Sequence, residues 1–176
     1  MLADPARLSQ PWPAACKNLG AVESTLTRRI LDLLLSNGIA YRILRHAPVR
    51  TSQEAARVRG TPLQAGAKAL VCHAGDQIVL VVIPADRQLD GRAFRRQTRV
   101  RSVRMVDPER VQEIVGAPVG AVPPFGSLFG LATYADRSIA ARSEIAFNAG
   151  ARDLSIAMSG PDYARLERPI LGDFAS

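Results

Sequence analysis

A single mixed α+β domain with mostly antiparallel strand pairing is the fold class this sequence predicts. Three observations carry it. Short apolar strand patterns and short helical patterns alternate along the chain. Two of the strand patterns, Lys68 to His73 and Gln77 to Ile83, are separated only by Ala74-Gly75-Asp76, a hairpin signal. The 176 residues suit one core, and no repeat or internal linker divides them.

Element by element, residues 1–21 read as a flexible Pro- and Ala-rich leader, 22–170 as the domain and 171–176 as a tail. The first helix is expected from Ser24 to Asn37, because Leu26, Ile30, Leu33 and Leu34 share one face and Gly38 supplies a stop. A strand from Ala40 to Leu44 follows, then a turn at Arg45-His46-Ala47-Pro48. Thr51-Ser52-Gln53-Glu54 is a capping box opening a helix to Arg59, closed by Gly60. Within the hairpin, Ile78 to Ile83 is apolar at every position, as a strand covered on both faces requires.

Residues 90–98 suggest a short basic helix and Val100 to Met105 a strand. Asp107-Pro108-Glu109 begins a helix that runs to Val115 and stops at Gly116. Gly116 to Gly126 is irregular, a shaped loop of glycines and prolines. Strands are expected at Gly130 to Tyr134, Glu144 to Asn148 and Leu154 to Met158, with Ser159 capping a last helix around Pro161 to Leu166.

Composition excludes several classes. With 47% hydrophobic and 22% charged residues the chain is neither disordered nor fibrous. Its longest strongly apolar run, Ile78 to Ile83, is far below the ~20 residues of a membrane helix. Two cysteines, Cys16 and Cys72, make no disulfide framework or metal-ligand set, and the first 21 residues lack the apolar core of a signal peptide. A reducing, cytoplasmic setting is therefore expected, with no membrane association, metal or organic cofactor. A net charge of +7 favours a polyanionic partner. Lys17 and Lys68 are the sole lysines beside 21 arginines, which singles out Lys68 within the domain.

The catalytic inventory is thin. GxSxG, Walker, HExxH and Rossmann patterns are all missing, and His46 and His73 are the only imidazoles. His73 reads as a strand-end residue and His46 as a candidate pocket residue beside a turn. Lys68, leading into Ala69-Leu70-Val71-Cys72, is either a surface terminus or a compact ammonium for a phosphate or developing oxyanion. The Gly116–Gly126 loop is either a structural turn or a frame of backbone donors. Asn148-Ala149-Gly150 closes a strand as a turn or as a polar site. The segment holding Arg87, Arg92, Arg95, Arg96, Arg99, Arg101 and Arg104 is a solvated basic face or a nucleic-acid contact; with Phe94 its one aromatic residue, base stacking is not expected.

In order along the chain, His46-Ala-Pro48 with Thr51-Ser-Gln-Glu-Ala-Ala56, Ala67-Lys68-Ala-Leu70, Ile78 to Pro84, the GxxxP element Gly120-Ala-Val-Pro-Pro124 with Phe125-Gly126, and Phe147-Asn-Ala-Gly150 with Asp153-Leu-Ser-Ile resemble the YbaK/prolyl-tRNA synthetase-associated editing-domain family. The resemblance spans about residues 24–168. It implies a strongly curved, largely antiparallel sheet flanked by helices, and hydrolysis of mischarged aminoacyl-tRNA, chiefly tRNA(Pro) carrying Cys, Ser, Thr, Ala or another small amino acid. Lys68 and Gly120 would be its catalytic positions, Lys68 holding the 3′-terminal adenosine. Ala121, Val122, Pro123, Pro124, Phe125 and Gly126 would grip the ester, with His46, Thr51, Asn148, Ala149 and Gly150 completing the substrate site. Arg92, Arg95 and Arg96 would meet the nucleic acid. The family works without a protein nucleophile, substrate groups assisting.

Alanine-specific members carry His-Pro after the strand's aromatic residue, whereas Phe147 here precedes Asn148-Ala149-Gly150, closer to the branches acting on Cys, Ser or Thr. The protein is read as freestanding, with prolyl-tRNA synthetase a possible partner. A non-catalytic tRNA- or synthetase-binding adaptor on the same fold is the alternative. A small-molecule ester or amide hydrolase is disfavoured by the high pI and the missing nucleophile.

Overall fold

A computed structural model describes residues 24–176; the expected leader lies outside the described residues. Helix α1 (Thr25–Ser36) starts where Ser24 accepts the Thr27 amide at 3.1 Å and buries Leu26, Ile30, Leu31 and Leu34. Strand β1 (Tyr41–Arg45) leads to α2 (Ser52–Arg59), whose capping box forms reciprocally between Thr51 and Glu54 and which ends on Gly60 at φ +66°. The hairpin is β2 (Ala67–Ala74) and β3 (Gln77–Pro84), turning at Gly75-Asp76. After it come α3 (Gly91–Thr98), β4 (Val103–Met105) and α4 (Pro108–Val115). Following the loop are β5 (Ala132–Asp136), α5 (Arg137–Ala140), β6 (Ile145–Asn148), β7 (Leu154–Met158), α6 (Gly160–Glu167) and β8 (Ile170–Gly172).

The strands divide into two sheets, β1-β7-β6 and β4-β2-β3-β5-β8. Pairing is antiparallel except for β3–β5 and β5–β8, which run parallel. An isolated bridge between Gly66 and Ala146 joins the two sheets. The unbroken apolar run of β3 is explained by its two faces. Leu80 and Val82 enter the main core with α1, α4 and the three-stranded sheet, while Val79, Val81 and Ile83 enter a second cluster with Phe94 and Phe174.

Two expected strands are displaced for local reasons. β4 is confined to its last three residues because Arg99 takes a left-handed conformation (φ +60°) that ends α3 and turns the chain. β5 begins two residues late because Gly130, at φ +68°, caps a 3₁₀ turn over Gly126–Phe129. At the end of the chain, β8 pairs with β5, and the Gln88 and Ser176 backbones exchange hydrogen bonds of 3.0 Å in both directions.

Candidate functional site

Where the two sheets meet, a cleft of about 210 Å³ opens among the N-terminal part of α2, the first residues of β2, Ala85, the loop at Val119–Val122 and the end of β6. It is smaller than a drug-sized pocket, ~300–1,000 Å³, and suits a small group. Five residues expected from sequence line it together: Thr51, Lys68, Gly120, Val122 and Asn148. Arg50, Ser52, Arg59 and Gly66 also line it and were not singled out by sequence.

Lys68 is the second residue of β2, paired in register with Ile83. Its half-buried ammonium donates to the Arg87 carbonyl at 2.5 Å. Burial pushes its pKa below the ordinary lysine value, opposed by the attraction of Asp86. The Arg87 segment is itself held from behind. The Asp90 amide donates to the Phe174 carbonyl at 2.8 Å, and Phe174 packs against Phe94 with centroids 5.1 Å apart.

The glycine- and proline-containing loop splits into a cleft-facing half and a core half. Gly120 takes φ +87°, a conformation that favours glycine. Among the described residues the amides of Gly120 and Val122 donate to no protein group, whereas the Ala121 amide is turned back to the Pro118 carbonyl at 2.9 Å. Pro123, Pro124, Phe125 and Gly126 are buried and do not line the cleft. Phe125 stacks edge-on against Phe147 at 5.4 Å, and the Tyr163 hydroxyl donates to the Pro124 carbonyl at 3.0 Å. These four therefore anchor the loop on its core side. Ala121, fully buried, does the same, its carbonyl accepting the Gly150 amide at 3.1 Å.

A polar network underlies the cleft floor. Asn148 Nδ2 donates to the Gly120 carbonyl at 2.6 Å, and Asn148 Oδ1 accepts from Arg59 Nη2 at 2.6 Å and from the Ser155 hydroxyl at 3.0 Å. Arg59 Nε also donates to Ser155 Oγ, at 2.8 Å. His46 Nε2 lies 2.7 Å from the same Oγ, with Nδ1 2.9 Å from the Ala47 carbonyl. His46 thus stands behind the cleft and does not line it. Ala149 and Gly150 are also behind it, the Ala149 carbonyl accepting from the Thr27 hydroxyl at 2.7 Å.

The Ser155–His46 contact has the spacing of a nucleophile and its base, yet it cannot act as one. Ser155 is fully buried on β7, does not line the cleft, and its oxygen already accepts from a guanidinium, which lowers its nucleophilicity. Cys72 is no better placed. It is fully buried away from the cleft, and burial pushes its thiol up to about 12. Among the described residues no group of three or more His, Cys, Asp or Glu is arranged to hold a metal, and no helix is long and apolar enough to cross a membrane. What lines the cleft is a lysine ammonium, the Gly120 and Val122 residues whose amides have no protein acceptor among the described residues, and the held amide of Asn148.

Arg92, Arg95 and Arg96 are exposed on α3, which follows the Arg87 segment directly. The missed residues differ in how they could have been found. Ser155 is the lone polar residue of an otherwise apolar strand, which is a signal. Arg59 is one arginine among 21, and nothing in the sequence marks it.

Residues 46–166 match the profile of the aminoacyl-tRNA editing domain. The Multifunctional Ser/Thr-tRNA deacylase ProXp-y of Escherichia coli (strain K12) is 35% identical over 156 residues, 86% of this chain and 93% of that protein. A proline--tRNA ligase of Moorella thermoacetica is 38% identical over 72 residues, 41% of this chain and 12% of the ligase. A crystal structure described as that of a candidate trans-editing enzyme for prolyl tRNA synthetase superposes with a TM-score of 0.77 at 23% identity, over 88% of this chain and 99% of its own, a likeness of fold.

Proposed function

The chain belongs to the aminoacyl-tRNA editing domain family, whose chemistry is hydrolysis of the aminoacyl ester, and from there we propose that it removes serine and threonine, in trans, from mischarged tRNA(Pro). The observation that carries this reading is the convergence of Lys68, Gly120, Val122 and Asn148 on one small cleft, which among the described residues is lined by no imidazole, thiol or carboxylate.

In this reading the 3′-terminal adenosine enters beside the Lys68 ammonium, and the ester carbonyl meets the free amides of Gly120 and Val122. Water attacks the carbonyl carbon, negative charge gathers on its oxygen, and the donors stabilise that charge. The bond from carbonyl carbon to ribose oxygen breaks. The ribose oxygen takes a proton and the free amino acid leaves. With no imidazole or carboxylate base among the described lining residues, the neighbouring ribose hydroxyl orients the water in this reading, and positioning supplies much of the rate.

Substrate choice follows from size and polarity. The cleft is small, and Thr51, Ser52 and Asn148 offer partners to a side-chain hydroxyl. A relative of similar length bears the name of a Ser/Thr-tRNA deacylase, and part of the chain is similar to proline--tRNA ligases. Such an enzyme answers a physical need, since one methylene in a synthetase pocket discriminates by only ~1–3 kcal/mol. Prolyl-tRNA synthetase supplies the mischarged substrate in this account, and the acceptor arm rests on Arg92, Arg95 and Arg96.

The test is a deacylation panel of tRNA(Pro) charged in turn with Ser, Thr, Ala, Cys and Pro. Release of Ser and Thr with Pro spared is expected. Failure to release either, or release of Pro at the same rate, would overturn the assignment.

A further inference from the structure

Arg59 ends α2 with its guanidinium half-buried against the cleft floor. Among the described residues no carboxylate pairs with it. Burial draws its pKa down to about 10, which still leaves it charged at neutral pH. Its contacts are instead two neutral oxygens, Ser155 Oγ at 2.8 Å and Asn148 Oδ1 at 2.6 Å. A charge kept half-buried without a counter-charge invites the question of what it holds in place.

The answer lies in the symmetry of an amide. The oxygen and nitrogen of Asn148 have nearly the same shape, so the neighbours decide which faces which. A guanidinium can only donate, so the oxygen must face Arg59 and the nitrogen must face the Gly120 carbonyl. Ser155 could not impose this alone, because a hydroxyl accepts as readily as it donates. With the amide turned over, two oxygens would oppose one another across 2.6 Å and the Gly120 carbonyl would be released.

We propose that Arg59 is a positioning residue for deacylation: by fixing the amide of Asn148 it pins the Gly120 carbonyl and keeps the Val119–Val122 loop presenting its free amides to the cleft. This rests on the function proposed above. Arg is required over Lys because two acceptors must be reached at a fixed angle, and an ammonium is a point donor.

The test pairs kinetics with amide hydrogen exchange. Arg59→Met is expected to raise exchange at Ala121 and Gly150 about tenfold, and to lower kcat about 10- to 100-fold with KM within about twofold. Arg59→Lys is expected to recover little. Arg59→Gly is expected to regain activity when millimolar guanidinium is added, which a purely structural loss would not do. Asn148→Asp, which can accept from Arg59 but cannot donate to Gly120, should lose kcat similarly and carries the test should Arg59→Met not fold. Unchanged exchange in Arg59→Met, or raised exchange with kcat intact, would overturn the role of Arg59. A wild-type protein that deacylates nothing would instead overturn the functional reading, and exchange would still decide on Arg59.

Discussion

The side-chain amide of Asn148 donates to the Gly120 carbonyl at 2.6 Å, tying the end of a strand to a loop 28 residues earlier. The same pattern repeats on both sides of Gly120. Arg152 Nη2 donates to the Val119 carbonyl at 3.1 Å, and the Gly150 amide donates to the Ala121 carbonyl at 3.1 Å. Three consecutive carbonyls of the loop are therefore held by the segment from Asn148 to Arg152. In the proposed mechanism, a loop so fastened would offer its donors without reorganisation when charge develops on a bound carbonyl.

The Lys68 ammonium should set an alkaline limit on the proposed activity. Burial favours its neutral form and Asp86 its charged form, with the net effect downward from the ordinary 10.5. Activity that needs the ammonium is lost as pH rises through that lowered value, earlier than for an exposed lysine. Asp86→Asn removes the charge that opposes the shift, so the descending limb of kcat/KM should move to still lower pH. A pH profile corrected for spontaneous ester hydrolysis reads this directly, and an unmoved limb would contradict it.

Arg92, Arg95 and Arg96 are exposed on one short helix. Replacing all three by alanine should raise KM for charged tRNA and leave kcat within about twofold. The slope of log(kcat/KM) against log salt should become shallower by about 0.7–0.9 for each phosphate no longer neutralised by an arginine. Equal slopes for variant and wild type would place the nucleic acid elsewhere.

Two cleft glycines should differ in kind. A Cβ on Gly66 would stand 2.6 Å from Ala85 Cβ and 3.2 Å from the Leu63 carbonyl oxygen, pressing on the segment whose Arg87 carbonyl holds Lys68. Gly66→Ala should cost about 1–3 kcal/mol in urea denaturation and impair turnover as well. At Gly120 a Cβ meets nothing within 4 Å, so Gly120→Ala should cost only the left-handed strain, about 1–2 kcal/mol.

Asp136, 5% exposed, accepts the amides of Phe174 at 2.9 Å and Ala175 at 3.0 Å, besides the Ser138 amide and hydroxyl. Asp136→Ala strands these donors and should destabilise the protein by about 3 kcal/mol or more in denaturant titration. A change below about 1 kcal/mol would mean that Phe174 packing and the Gln88–Ser176 backbone bonds hold the end of the chain without Asp136.

Local chemistry made most elements legible. The Thr51–Glu54 capping box, the Gly75 turn and the Pro108 helix start each act within four residues, and all stand as expected. Asp107 occupies its N-cap position without making a side-chain cap bond. β8 was not foreseen, because Ile170-Leu171-Gly172 is too short to show a period and is a strand only through its pairing with β5. The site divides in the same way. Lys68, Gly120 and Asn148 stand out by type and setting, whereas Phe125 and Gly126 share the loop's composition but turn into the core. Which half of the loop faces the cleft is decided by Tyr163 and Phe147, both distant in sequence. Arg59 acquires its place through a hydrogen bond to a strand 96 residues away, a relationship no local pattern encodes.

The most direct test of the central claim is single-turnover deacylation of Ser-tRNA(Pro) by wild type and Lys68→Ala, with tRNA binding and thermal unfolding measured alongside. The account predicts a loss of rate of about 100-fold or more in a variant that stays folded. Release of serine by Lys68→Ala at the wild-type rate would contradict it.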